Sequence, residues 1–224
     1  GSGVVMLPRV LEPEVMDSAA EAQDYDAMDH SQVNRVFVSD FLKLWDGFGT
    51  VLDVGAGTAQ IPLELCRQHP TVTVLAIDLA RHMLEVGQRN VLAAGLDERI
   101  RLQLCDAKQM PYADGSFLAV MSNSIVHHIP APGAVIAEMV RVVRPGGLLF
   151  VRDLLRPEDD AAVRRLVAQY AGNANAHQQQ MFDDSLRAAL HLDEVRALIA
   201  PLGFAADTVQ ATSDRHWTWA AQKA

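Results

Sequence analysis

The chain has 224 residues, a formal net charge of −9 and a hydrophobic fraction of 50%. This length suits one domain with a single core, and the hydrophobic fraction excludes a disordered chain. The acidic charge and the lack of a basic stripe argue against a nucleic-acid partner. No apolar run approaches the roughly 18 residues of a membrane span, and the two cysteines, Cys66 and Cys105, lack metal-type spacing. We therefore expect a cytoplasmic protein without a nucleic-acid or membrane partner, and no metal site is evident.

The segment before residue 47 predicts a helix that begins at a Ser31 cap. Its apolar residues recur at helical spacing and predict one buried face, formed by Val33, Val36, Phe37, Phe41 and Leu44. A Gly47-Phe48-Gly49 turn ends this helix.

A glycine loop follows the first predicted strand, Thr50 to Val54. Gly55 and Gly57 lack Cβ atoms, so they permit a tight turn and let a ligand approach the backbone at the start of a helix. Gln60 stands where the dinucleotide fingerprint requires a small residue. Asp53, two residues before Gly55, would repel a pyrophosphate and suit a positively charged ligand. The loop therefore favours S-adenosylmethionine, with its sulfonium and ammonium groups, over NAD(P).

Four more strands alternate with helices after this loop. Asp78 ends the second apolar run at the spacing of a ribose acceptor, Asp106 follows the third strand, and Asn123 follows the fourth. Side chains at the carboxyl ends of parallel strands face the ligand crevice of an open α/β sheet. The alternation predicts a doubly wound parallel sheet, and two further strands, 206–211 and 216–221, predict a terminal hairpin.

Four ordered motifs resemble those of the class I S-adenosylmethionine-dependent methyltransferases. They are Asp53-Val54-Gly55-Ala56-Gly57, Ile77-Asp78-Leu79, Cys105-Asp106-Ala107 and Arg144-Pro145-Gly146-Gly147. Within that class the chain is most similar to the methyltransferase type 11 group, which contains the ubiquinone and menaquinone C-methyltransferases. The resemblance is good over residues 30–152. It implies an α/β, Rossmann-like, seven-stranded sheet, mostly parallel with an antiparallel last strand and helices on both faces.

The resemblance also implies a domain plan and a cofactor site. One domain would comprise a helical lid (1–46), a cofactor-binding core (50–153), a substrate-side helical insert (154–204) and a hairpin (205–224). Met83 would contact adenine, Asp106 and Ala107 would bind its edge, and Asn123 would contact the methionine moiety through its backbone. The full set of implied S-adenosylmethionine-binding residues is Asp53, Gly55, Ala56, Gly57, Asp78, Leu79, Met83, Asp106, Ala107 and Asn123.

Methyl transfer from a sulfonium is an in-line displacement that depends on alignment and proximity, so it requires no catalytic triad. A general base matters only where the acceptor must lose a proton, and His127 and His128 after the fourth strand are the candidates, with Tyr25 of the lid as a further catalytic candidate. A structural hydrogen-bonding role for both histidines is the alternative. We predict a methyltransferase for a small-molecule O, N, S or C acceptor, as a monomer or a homodimer. A non-catalytic adenosyl-ligand-binding module and, less favoured, an NAD(P)-dependent oxidoreductase remain the alternatives.

Overall fold

A computed structural model describes residues 5–13, 17–47 and 49–224. The strands are β1 (Thr50–Val54), β2 (Thr73–Asp78), β3 (Ile100–Leu104), β4 (Phe117–Asn123), β5 (Val143–Leu154), β6 (Val209–Ala211) and β7 (His216–Gln222). The helices are α1 (Ala19–Ala27), α2 (Ser31–Leu44), α3 (Gln60–Gln68), α4 (Arg81–Ala93), α5 (Gly133–Val142), α6 (Asp160–Ala171), α7 (Ala176–Ala188) and α8 (Leu192–Ile199). None of the helices in the described ranges is both long and apolar enough to cross a membrane.

The strands form one seven-stranded sheet in the order β3-β2-β1-β4-β5-β7-β6. β1 pairs in parallel with β2 and with β4, and β2 pairs in parallel with β3. Val51, Leu52 and Val54 of β1 are fully buried. A strand covered on both faces is expected to be a nearly continuous apolar run, as β1 is. β6 and β7 pair antiparallel at the carboxyl end of the chain. The predicted fold class is therefore confirmed.

The chain forms two compact units, each with its own apolar core. The glycine-loop unit comprises Met16–Asn123, Gly133–Val151 and Ala220–Ala224. Its core includes Phe37, Phe41, Leu65, Ile100 and Phe150. The histidine unit comprises Gly1–Val15, Ser124–Pro132 and Arg152–Trp219, with a smaller core that includes Val163, Leu166 and Leu186. The division of a single domain into lid, core, insert and hairpin stays a prediction, and residues 1–4, 14–16 and 48 lie outside the described residues.

Helix α2 begins at Ser31, but its N-cap is His30, so the predicted Ser31 cap was wrong. The N–H of Ser31 donates to Oδ1 of Asp29 at 3.0 Å.

The buried face of α2 differs from the predicted one. Val33, Val36 and Leu44 are 39%, 50% and 53% exposed. The buried residues are Asn34, Phe37, Val38 and Phe41. The predicted face was wrong because Val36 and Leu44 lie beside the stripe that faces the core. That stripe is set by the rings of Phe37 and Phe41, which pack edge-on against Phe150 at 5.2 and 5.8 Å between centroids.

Candidate functional site

The glycine loop is fixed to the end of β2 by its backbone. Gly55 and Gly57 have φ angles of 77° and 57°, in the left-handed region that favours glycine. The N–H groups of Gly55 and Ala56 both donate to the carbonyl of Ile77 at 2.9 Å. A Cβ on Gly57 would lie 3.3 Å from Cε of Met83, so the loop and the first turn of α4 are in close contact.

The carboxylate of Asp78 connects this loop to α4. Its Oδ2 accepts from the N–H of Gly57 at 2.8 Å, and its Oδ1 accepts from the N–H of Ala80 at 2.8 Å. Burial raises the pKa of Asp78, and backbone hydrogen bonds from Ala80, Gly57 and Leu79 act in the opposite direction. A carboxylate has about four lone-pair sites, so it keeps capacity for a ribose hydroxyl.

Asp53 is a buried carboxyl, and among the described residues no basic side chain lowers its pKa. Its side chain lies on β1 with 3% of the residue exposed. Burial raises its pKa to about 8, with a further contribution from the negative charge of Asp78. Burial and the charge of Asp78 thus favour the protonated form of Asp53, and a positively charged ligand beside the two carboxyls would favour the ionised form.

The remaining predicted cofactor residues lie at strand ends of the same unit. Leu79 is 63% exposed directly after β2, and Asn123 is the last residue of β4. Asp106 and Ala107 follow β3, and Oδ1 of Asp106 accepts from the N–H of Lys108 at 2.9 Å in a local turn. The structure thus brings Asp53, the loop, Asp78 and Met83 together, and the binding roles of all ten residues stay predictions.

Helix α1 holds the predicted lid residue Tyr25. Its ring stacks on His30 at 4.9 Å between centroids. Burial raises the pKa of the Tyr25 hydroxyl, followed in size by the charges of Asp78 and Asp26. Oδ1 of Asp26 accepts from Nε2 of Gln60 at 3.0 Å, which fixes α1 to the start of α3.

Two polar groups in this unit were missed by sequence reasoning. Asp26 also accepts from Nδ2 of Asn90 at 2.9 Å, so Asn90 and Gln60 share one partner on α1. Oγ1 of Thr58 is buried without a hydrogen-bond partner among the described residues, immediately after Gly57. Thr58 follows the glycine motif directly, so its position was a usable signal, whereas the partners of Asp26 depend on tertiary packing.

His127 lies in the histidine unit, with both ring nitrogens beside carboxylates. Nδ1 is 2.6 Å from Oδ1 of Asp153, and the backbone N–H of His127 donates to Oδ2 of the same residue at 3.1 Å. Nε2 is 3.2 Å from Oε1 of Glu12. Burial opposes the charged imidazole, but the charge and hydrogen bond of Asp153 outweigh it, so the pKa of His127 is raised.

Glu12 also contacts His128, whose side chain is half exposed. Nδ1 of His128 is 3.1 Å from Oε2 of Glu12. The segment that carries Glu12 is fixed by Arg9, whose guanidinium donates to the carbonyls of Ala188 at 2.7 Å and Ile129 at 2.9 Å. Sequence reasoning selected both histidines but missed Glu12 and Arg9, because residues 5–13 show no helical or strand periodicity. The general-base role of His127 or His128, and the catalytic role of Tyr25, stay predictions.

Residues 51–147 match the model of a methyltransferase domain. This stretch of the chain is therefore similar to methyltransferase domains. This match covers the glycine loop, Asp78, Asp106 and Asn123, and it ends at the Gly146-Gly147 turn.

Named methyltransferases are similar to this chain in sequence, and a solved structure shares its fold. The methyltransferase GfsG of Streptomyces halstedii is 35% identical over 144 residues, which are 64% of this chain and 48% of that protein. The demethylmenaquinone methyltransferase of Porphyromonas gingivalis is 32% identical over 142 residues, 61% of this chain and 58% of that protein. A SAM-dependent methyltransferase from Aquifex aeolicus, 18% identical, shares the fold with a TM-score of 0.66 over 92% of this chain and 99% of that chain. The chain spans about half the length of the two curated relatives.

Proposed function

We propose that this chain transfers the methyl group of S-adenosylmethionine to a small-molecule acceptor. The observation that carries the proposal is the pair of buried carboxyls at the glycine loop. Asp53 has its pKa raised to about 8, and Asp78 connects Gly57 to Ala80. A ligand with a sulfonium, an ammonium and a ribose diol supplies both the positive charge and the hydroxyl donors that these groups lack.

Two further features of the loop fit the same ligand. Gly57 has a φ of 57°, which favours glycine, and the absence of a side chain there lets a ligand approach the backbone. The buried hydroxyl of Thr58 has no partner in the described part of the chain, and a bound polar group would satisfy it. Together they support a ligand that contacts the backbone of residues 55–58.

S-adenosylmethionine, when bound, supplies a methyl carbon attached to a positively charged sulfur that leaves as a neutral thioether. The residues at the glycine loop would hold this group with its methyl carbon open to the attacking atom of the acceptor, and an acceptor that must lose a proton would need a base. The work of the chain is then to align the two partners and to keep water away. In this proposal Asp78 holds the ribose and Asp53 favours the positive charge.

A small molecule is the acceptor class that the observations favour. The net charge of −9 disfavours a polyphosphate substrate. The relative from Porphyromonas gingivalis is named for demethylmenaquinone, itself a small molecule. The acceptor atom of this chain stays open among oxygen, nitrogen, sulfur and carbon.

Calorimetric titration with S-adenosylhomocysteine tests the proposal. We expect one-to-one binding to the wild-type protein and a fall in affinity of roughly 10- to 100-fold in Asp78→Ala, because charge-assisted hydrogen bonds contribute about 1.5–3 kcal/mol each. Asp97→Ala removes an exposed aspartate of the same unit and should bind like the wild type. Unchanged affinity in Asp78→Ala would refute the ribose assignment.

The same titration with NADH separates the alternatives. Binding of NADH in place of S-adenosylhomocysteine by the folded wild-type protein would overturn the proposed function. Binding of S-adenosylhomocysteine, combined with no methyl transfer to any of a broad panel of small hydroxyl, amine, thiol and carbon acids, would favour the non-catalytic binding module.

A further inference from the structure

Three side chains of the histidine unit converge with metal-ligand chemistry. Glu12, His127 and His128 each offer one donor atom, and these atoms lie within 4.8 Å of one another. The residues come from two parts of the chain far apart in sequence, so the cluster is a product of the fold. Glu12 lies outside the residues that match the family model, whereas His127 and His128 lie inside them. The two histidines are also the predicted candidates for a general base, but the proposed cofactor site does not use them.

The spacing of the donor atoms is that of ligands around one ion. Nε2 of His127 is 3.2 Å from Oε1 of Glu12, and Nδ1 of His128 is 3.1 Å from Oε2. Ligands that bind zinc at about 2.0–2.2 Å lie roughly 3 to 3.5 Å from each other. A bidentate Glu12 carboxylate would place one oxygen beside each histidine nitrogen around a single ion.

The carboxylate of Glu12 has hydrogen-bonding contacts with His128 and Ser185, but one of its two oxygens has no hydrogen-bond partner in the described part of the chain. Oε1 of Glu12 is buried and, among the described residues, makes no hydrogen bond, although Nε2 of His127 is 3.2 Å away. Leaving a buried charged oxygen unsatisfied is costly, so this atom requires a cation or a donor. Oε1 of Glu12 lies beside Nε2 of His127, and both atoms would bind the same ion.

Asp153 completes the arrangement behind His127. It holds Nδ1 at 2.6 Å, an arrangement that directs the other ring nitrogen, Nε2, towards Glu12. Metal-binding histidines commonly donate their second nitrogen to a carboxylate in this way, which fixes the ring and increases its basicity. Asp153 is 1% exposed and would act as a positioning residue, not as a ligand.

We propose that Glu12, His127 and His128 form a binding site for a divalent transition-metal ion, with Zn²⁺ as the preferred ion. Two imidazole nitrogens and a carboxylate are a donor set that zinc takes in proteins, and three protein ligands leave a coordination position for an outside oxygen or nitrogen ligand. The site is independent of the proposed methyl transfer. A metal on Nε2 would occupy the lone pair that a general base needs, so His127 would not serve as both.

Titration of chelator-treated, dialysed protein with Zn²⁺ tests the site directly. We expect one-to-one binding by calorimetry, and a loss of affinity of at least tenfold in both Glu12→Gln and His128→Asn. Substitution with Co²⁺ should give visible d–d absorption that both variants lose. These two residues are preferred for substitution because His127 is 4% exposed and its removal threatens folding. Circular dichroism confirms that each variant is folded.

Matched controls lie in the same unit. His177→Asn and Glu158→Gln replace exposed residues of the same types and should retain wild-type Zn²⁺ affinity. Absence of stoichiometric binding by the folded wild-type protein would overturn the proposal and leave a proton on His127 as the cation of the cluster. Wild-type affinity in both Glu12→Gln and His128→Asn would overturn it equally. Neither result bears on S-adenosylhomocysteine binding, so the two proposals fail separately.

Discussion

At the scale of single residues, Asp53 lowers the stability of the ligand-free protein, although we propose that it favours ligand binding. Its pKa is about 8 in the folded chain and near 3.8 when exposed, so the folded state keeps a proton that the unfolded state releases between these values. The contribution of this group to stability therefore falls as the pH rises from about 4 to about 8 and stays low above that. A buried carboxyl with this behaviour is retained at a cost to folding.

Asp53→Asn should remove this cost. We expect the midpoint of thermal unfolding of the ligand-free protein to rise by roughly 4–8 °C at about pH 9, taking about 2 kcal/mol at 2–4 °C per kcal/mol, and by less at about pH 5. Calorimetry at the two pH values measures it, with Asp97→Asn as an exposed control that should change neither midpoint. A midpoint shift equal at both pH values would show that the ionisation of Asp53 is not the cause.

At the scale of elements, the contact between α4 and the glycine loop leaves no room for a methyl group. A Cβ on Gly87 would lie 2.8 Å from Cδ2 of Leu102, which can move, and 3.2 Å from the backbone carbon of Thr58, which cannot move without the loop. Alanine would gain about 1 kcal/mol of helix propensity, but overpacking costs about 1–3 kcal/mol. Gly87→Ala should therefore lower stability by about 1 kcal/mol in urea unfolding and weaken S-adenosylhomocysteine binding several-fold. Gln88→Ala, at an exposed neighbour, should change neither stability nor affinity. Wild-type affinity in Gly87→Ala would show that the packing of α4 against the loop does not affect ligand binding.

Elements also show what a sequence can and cannot predict. β1 has the predicted bounds because a buried parallel strand is a continuous apolar run, and this one ends just before Gly55. Asp78 is the last residue of β2, as the sequence predicted. Helix α1 and residues 5–13 escaped prediction because polar contacts distant in sequence fix them, Asp26 to Gln60 in one case and Arg9 to backbone carbonyls in the other. The raised pKa of Asp53 could not be predicted from the sequence either, since it depends on how deeply the carboxyl is buried.

At the scale of the whole molecule, ligand binding should raise the midpoint of thermal unfolding. A ligand that binds only the folded chain at about 100 times its Kd adds about 2.7 kcal/mol, which for a protein of this size raises the unfolding midpoint by roughly 5–10 °C. We expect S-adenosylhomocysteine to produce this shift, NADH to produce none, and Asp78→Ala to lose most of it at the same ligand concentration. Because the proposed metal site and the glycine loop belong to different units, the shift should persist in the presence of a chelator. If the chelator abolished it, the loop would depend on the metal, and the independence of the two sites would be refuted.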